Sequence, residues 1–124
     1  MSNGYDMQNL DILCAEKGRA IAGIEKMEDR VINEALTVLD NQGPYAMFLY
    51  LKARHNEIFA KSEGEFKTLL KEAFKEKVND GSNVLEIINA LAENLDDLLF
   101  VSDLLKTTLA YARYHLKAKK ITEE

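Results

Sequence analysis

A single proline, Pro44, stands in a chain of 124 residues whose apolar positions recur at helical spacing almost from end to end. Sandwiches and barrels need turn residues at short, regular intervals, and one proline with six glycines does not supply them. The same scarcity excludes a proline-rich linker or a collagen repeat. A composition of 47% hydrophobic and 30% charged residues is that of a helical domain with its own core. A chain of this length buries roughly two thirds of its unfolded surface and needs no disulfide or metal staple. The reading is an all-α fold: a single compact bundle of five to six helices with a long C-terminal helix. One domain covers residues 1–124, with 1–5 and 121–124 expected to fray.

Leu10, Leu13, Cys14, Ile21 and Ile24 form a first apolar stripe, with the stem of Lys17 lying along it. Val31, Ile32, Ala35, Leu36 and Leu39 form the next. No proline separates the two, so 6–28 and 29–41 are either two helices or one bent helix. Gly18 and Gly23 each weaken the first segment by about 1 kcal/mol relative to alanine, and a glycine so placed also lets a neighbouring helix approach. Asn41-Gln42-Gly43-Pro44 is the clearest stop and restart: Gly43 suits a left-handed C-terminal cap and Pro44 the first turn of the next helix. That helix is expected from Pro44 to about Ala60. Its Tyr45–Leu51 stretch is apolar all round, which predicts a central element buried on most sides.

Ser62-Glu63-Gly64-Glu65 reads as a capping box opening the following helix. Phe66, Leu69, Leu70, Ala73, Phe74 and Val78 form the buried face of that helix. Asn79-Asp80-Gly81 ends it. Ser82 or Asn83 then caps a short helix through about Leu91. Asn94 caps the last helix, with Asp96 and Asp97 in its first turn and Lys117, Lys119 and Lys120 in its last, each sign matched to the helix dipole.

Catalytic and metal-binding patterns are sparse. Two histidines and one cysteine are too few for a conventional structural zinc site, and neither His55 nor His115 follows a glutamate at the spacing of a di-iron bundle. Nucleophile-elbow, phosphate-loop and dinucleotide-binding glycine motifs are missing. Arg54–His55 and Arg113–His115 are too close for the arginine-to-histidine spacing of one helical ribonuclease class. Cys14, alone and on an apolar face, reads as a small buried hydrophobe in a reducing, cytoplasmic setting. Met1–Cys14 carries Asp6 and Asp11 and lacks the pattern of a secretory leader, and no apolar run is long enough to span a membrane. The expectation is a non-enzyme with no cofactor, no metal, no small-molecule substrate and no membrane partner.

The net charge of −5, from 21 acidic and 16 basic residues, argues against a stand-alone nucleic-acid binder but permits one basic face within an assembly. Lys67, Lys71 and Lys75, at i, i+4 and i+8, project from a helix at intervals of roughly 6 Å, comparable with successive phosphates along a strand. Their plain reading is a solvated face partnered by Glu72 and Glu76. Arg113, Lys117 and Lys120 make a second stripe, and Lys52 and Arg54 close the apolar helix. These eight residues are the candidate contacts to RNA phosphates.

The stretch Asn41-Gln42-Gly43-Pro44-Tyr45-Ala46-Met47-Phe48-Leu49-Tyr50-Leu51-Lys52-Ala53-Arg54 resembles a segment of the small all-helical subunit of type III-B CRISPR effector complexes, the Cmr small-subunit family. There an Asn-Gly turn leads into an apolar helix ending in aromatic–Leu and basic residues. Phe100–Lys120 is similar to the closing helix of that family, with Arg113, Leu116 and Lys117 at its basic, Leu and Lys positions. His115 stands in place of its aromatic and Ala118 in place of its arginine. The resemblance implies a non-catalytic subunit of an RNA-guided antiviral complex. Several copies would stack along the guide RNA–target RNA duplex, touching backbone phosphates and the other subunits. A small subunit of another type III subtype remains open. So does a helical protein–protein adaptor with no nucleic-acid role.

Overall fold

The structure, a computed structural model, describes the backbone of residues 7–123 and the side chains of residues 9–119. The expected fraying of 1–5 lies outside the described residues. Of 121–124, the backbone of 121–123 is described and continues the last helix. Among the described residues the chain forms six α-helices, one 3-10 turn and no strand, the all-α class that the apolar spacing predicts. They are α1 (Met7–Ala22), α2 (Asp29–Gln42), α3 (Pro44–Arg54), α4 (Asn56–Phe74), the 3-10 turn Lys75–Lys77, α5 (Val84–Leu91) and α6 (Leu95–Glu123).

Residues 6–41 are two helices. Gly23 closes α1 by donating its N–H to the carbonyls of Arg19 and Ala20, and Lys26 turns the chain at φ 73°. Gly43 follows α2 at φ 96°, a backbone that favours glycine, and donates to the Leu39 carbonyl. Pro44 then opens α3, as its fixed φ and missing N–H allow. Asn83 and Glu86 exchange bonds in a complete capping box at α5. At α6 the Asn94 side chain accepts from the N–H of Asp97 at 3.0 Å.

The boundary expected near residues 60–62 lies elsewhere. α3 ends at Arg54 and α4 starts at Asn56, with His55 between them at φ −136°, ψ 57°. Ser62 caps nothing. It is buried in the middle of α4 and donates its hydroxyl to the Phe59 carbonyl at 3.2 Å. Glu65 turns instead to Lys17 at 3.0 Å, and Glu63 accepts from the N–H of Val84 at 3.1 Å, adding a second carboxylate to the start of α5.

α1 and α6 make the most extensive helix pair. Cys14 sits at the Leu104 carbonyl and Gly18 against Thr108, Tyr111 and Ala112, so both residue numbers climb together and the two helices run the same way. α2 runs against α6: Asp40 meets Lys106 at 3.1 Å and Asn33 meets Arg113 at 3.1 Å. α3 touches α2, α4, α5 and α6, and its Met47 and Phe48 are fully buried. Phe48 packs edge-on against Phe66 with ring centres 5.0 Å apart. The centrality expected of α3 holds, but not its all-round burial. Tyr45 and Leu49, one turn apart, are 45% and 49% exposed. Cys14 is buried, and desolvation pushes its thiol above the ordinary range, which keeps it protonated and inert.

Candidate nucleic-acid interface

The candidate cations occupy α3, α4 with the 3-10 turn that follows it, and α6, and among the described residues no hydrogen bond or ion pair joins one of these groups to another. Lys52 and Arg54 are exposed in the last turn of α3, where cations complement the helix dipole. Arg113 is half-buried on α6, donating from Nη1 to Asn33 Oδ1, while its Nε is buried without a hydrogen-bond partner. Lys117, one turn on, is exposed. The side chain of Lys120 lies outside the described residues.

The lysine stripe is shorter than its spacing implies. Lys67 and Lys71 lie one turn apart on α4, but α4 ends at Phe74. Lys75 follows at φ 53°, ψ −116°, starting the 3-10 turn, so it leaves the line of the other two. The helix stops a full turn before Asn79-Asp80-Gly81 because the chain must bend there to bury Val78. Lys75 stands 4.0 Å from Glu72, the partner expected of a solvated face.

Lys67 and Lys71 border an open groove of about 330 Å³ between α4 and the loop that leads to α5. Gly64 and Thr68 form its α4 wall, and Val78, Asn79, Asp80 and Ile87 the other. Lys71 is ion-paired with Asp80. No ion pair with another described residue is present at Lys52, Arg54, Lys67 or Lys117. The sequence shows the lysines but not the groove, because its second wall comes from a loop whose path no local pattern dictates. The one sequence signal is Gly64, a glycine inside a helical pattern, and the same residue also fits the spacing of a capping box.

A second polar cluster has no local signature in the sequence. One oxygen of Glu34, on α2, accepts from the Tyr50 hydroxyl at 2.9 Å and lies 2.9 Å from His55 Nε2. The other accepts from Arg30 Nη1 at 3.1 Å. The His55 contact and then the Tyr50 contact hold the Glu34 carboxyl below the usual carboxylate range, and the same bond pushes the Tyr50 hydroxyl up. Arg30, Asn33, Glu34 and Tyr50 border a shallow groove between α2 and α3. Its two oxygens join Arg30 on α2, Tyr50 on α3 and the His55 elbow, so this cluster ties helices together. Among the described residues no three His, Cys, Asp or Glu side chains converge as a metal site. No helix is long and apolar enough to cross a membrane, again among the described residues.

No protein-family model, no curated protein and no solved structure matches the chain.

Proposed function

We propose that the protein is a non-catalytic structural subunit of a type III CRISPR RNA-guided effector complex, a small subunit of the type III-B kind. It packs beside the guide RNA–target RNA duplex together with other copies of itself and the remaining subunits. The observation that carries the reading is the pair Lys67 and Lys71 on the rim of one open groove in an otherwise acidic protein. Exposed Lys52, Arg54 and Lys117 offer further point charges to phosphates. Contacts of this kind follow the backbone and carry no base preference, which suits an assembly whose guide reads the sequence. Few cations and a net negative charge give weak RNA binding by the isolated chain and stronger, salt-sensitive retention inside a complex.

The test is purification of the native assembly with its RNA, followed by paired charge reversals. Lys67→Glu with Lys71→Glu, or Arg113→Glu with Lys117→Glu, lowers retention of target RNA. Each lost phosphate contact flattens the logarithmic salt dependence, because fewer counterions are released. Unchanged assembly and retention in both pairs overturns the reading. A second reading, a protein–protein adaptor without RNA, is favoured by the exposed apolar pairs Tyr45 with Leu49 and Leu95 with Leu99. It predicts a purified assembly free of RNA.

A further inference from the structure

Gly64 has no reason to be glycine inside the molecule. It lies in the middle of α4 (Asn56–Phe74), where glycine is less stable than alanine, and a Cβ built on it meets nothing within 4 Å. Gly18 makes the contrast: there a Cβ would collide with α6. The bare backbone at Gly64 instead forms part of the groove wall beside Lys67 and Lys71. Glycine in such a place lets a foreign chain approach the helix closely.

The remaining polar groups of the groove divide. Thr68 Oγ1 spends its one proton on the Gly64 carbonyl at 2.9 Å and has none for an anion. Asn79 Oδ1 accepts from the Gly81 N–H at 3.1 Å, and that orientation leaves the Asn79 amide nitrogen to donate elsewhere. Asp80 opposes an anion, because its carboxylate occupies Lys71. Both side chains of that pair are well exposed, at 56% and 75%, so the ion pair is weak and exchangeable.

We propose that this groove seats one phosphodiester of an RNA strand against the Gly64 backbone between Lys67 and Lys71, and that Asp80 is an internal competitor that holds Lys71 until the phosphate displaces it. The inference rests on the RNA-binding reading above. A carboxylate on Lys71 lowers affinity for a stray nucleic acid, a modest penalty that a strand held close by the assembly overcomes more readily than a free one.

The test uses the full chain and a labelled uridine homopolymer, with affinity read by fluorescence anisotropy across a salt series and folding read by thermal melting. Asp80→Asn tightens binding roughly two- to five-fold at low salt, the range of one exposed ion pair. The gain fades as salt rises. Gly64→Ala melts at a higher temperature than the native chain yet binds several-fold more weakly. A merely structural role for Gly64 does not produce that opposition. The seat is overturned if Gly64→Ala binds as the native chain does, and the competitor if Asp80→Asn leaves affinity unchanged or weaker. A gain seen for a glutamate homopeptide and not for the RNA makes the groove a protein-docking site, and also overturns the proposal. The Lys67→Glu, Lys71→Glu pair separates the two levels. If it leaves RNA binding intact, the RNA reading of this face fails and takes the inference with it. If it lowers binding while Asp80→Asn and Gly64→Ala match the native chain, only the inference fails.

Discussion

At Gly18 the backbones of α1 and α6 touch. A Cβ there would stand 2.6 Å from Tyr111 Cβ, 2.7 Å from the Thr108 carbonyl oxygen and 2.9 Å from the Ala112 nitrogen. Two of those three neighbours are backbone atoms of a long helix and have nowhere to move. Gly18→Ala therefore gains helix propensity and loses more by overpacking, for a net loss of about 1–3 kcal/mol in urea unfolding. Lys75 is the opposite case. It is a side-chain-bearing residue at φ 53°, ψ −116°, where an L-residue pays about 1–2 kcal/mol and glycine pays nothing for the conformation. Lys75→Gly raises stability by about 0.5–1 kcal/mol after the added chain entropy of glycine, measured by the shift in the urea midpoint. An unchanged or lower midpoint shows that the side chain contributes more than its backbone costs.

Among the elements, the α3–α4 elbow has no side-chain cap at the start of α4. One residue, His55, separates the two helices, and its ring is fixed by Glu34 from α2. Removing that carboxylate by Glu34→Ala frees the elbow. It lowers the melting temperature by roughly 4 °C or more and speeds amide hydrogen exchange at Asn56–Phe59. The pH dependence has a definite sign. The folded carboxyl titrates below its ordinary value near 4.5, so its contribution is fully present above that value and is lost as pH falls through the lower, folded one. Glu34→Gln flattens the acid limb of a stability–pH curve in that window. An acid limb identical to that of the native chain refutes the account.

The same elbow marks where reading the sequence stops working. The Gly43-Pro44 break, the Asn83–Glu86 box and the Asn94 cap are each written within four residues, and all three stand in the structure. The His55 break depends on a glutamate 21 positions away, and no local pattern reports it. Ser62 and Glu65 carry the letters of a cap, but tertiary burial and Lys17 claim them. The site divides likewise. The cations are legible one by one as helix-face positions, whereas their groove and the Asp80 beside Lys71 arise only from how the Asn79-Asp80-Gly81 turn folds back on α4.

For the whole molecule, the acidic excess and the helix arrangement act on different properties. A charge of −5 repels a polyanion at long range, so any RNA contact is confined to local cations and weakens steeply with salt. The packing sets cooperativity. α1 and α6 bury against each other the faces that hold Leu10, Cys14, Leu104 and Leu109. A chain ending after residue 94 leaves the α1 face without its main partner. Its urea transition becomes broad and its midpoint falls, in contrast to the sharp single transition expected of the full chain.

The same-direction pairing of α1 with α6 has a consequence for the birth of the protein. Helical bundles built from neighbouring hairpins fold as they emerge, because each helix meets its partner within a short stretch of chain. Here the Cys14–Leu104 contact spans 90 positions. At a synthesis rate of about 5–20 residues per second, the apolar face of α1 waits roughly 5–20 s outside the ribosome before its partner is made. During that interval α4 and its Glu65–Lys17 pair are the main shelter for α1, until α6 arrives to cover its face.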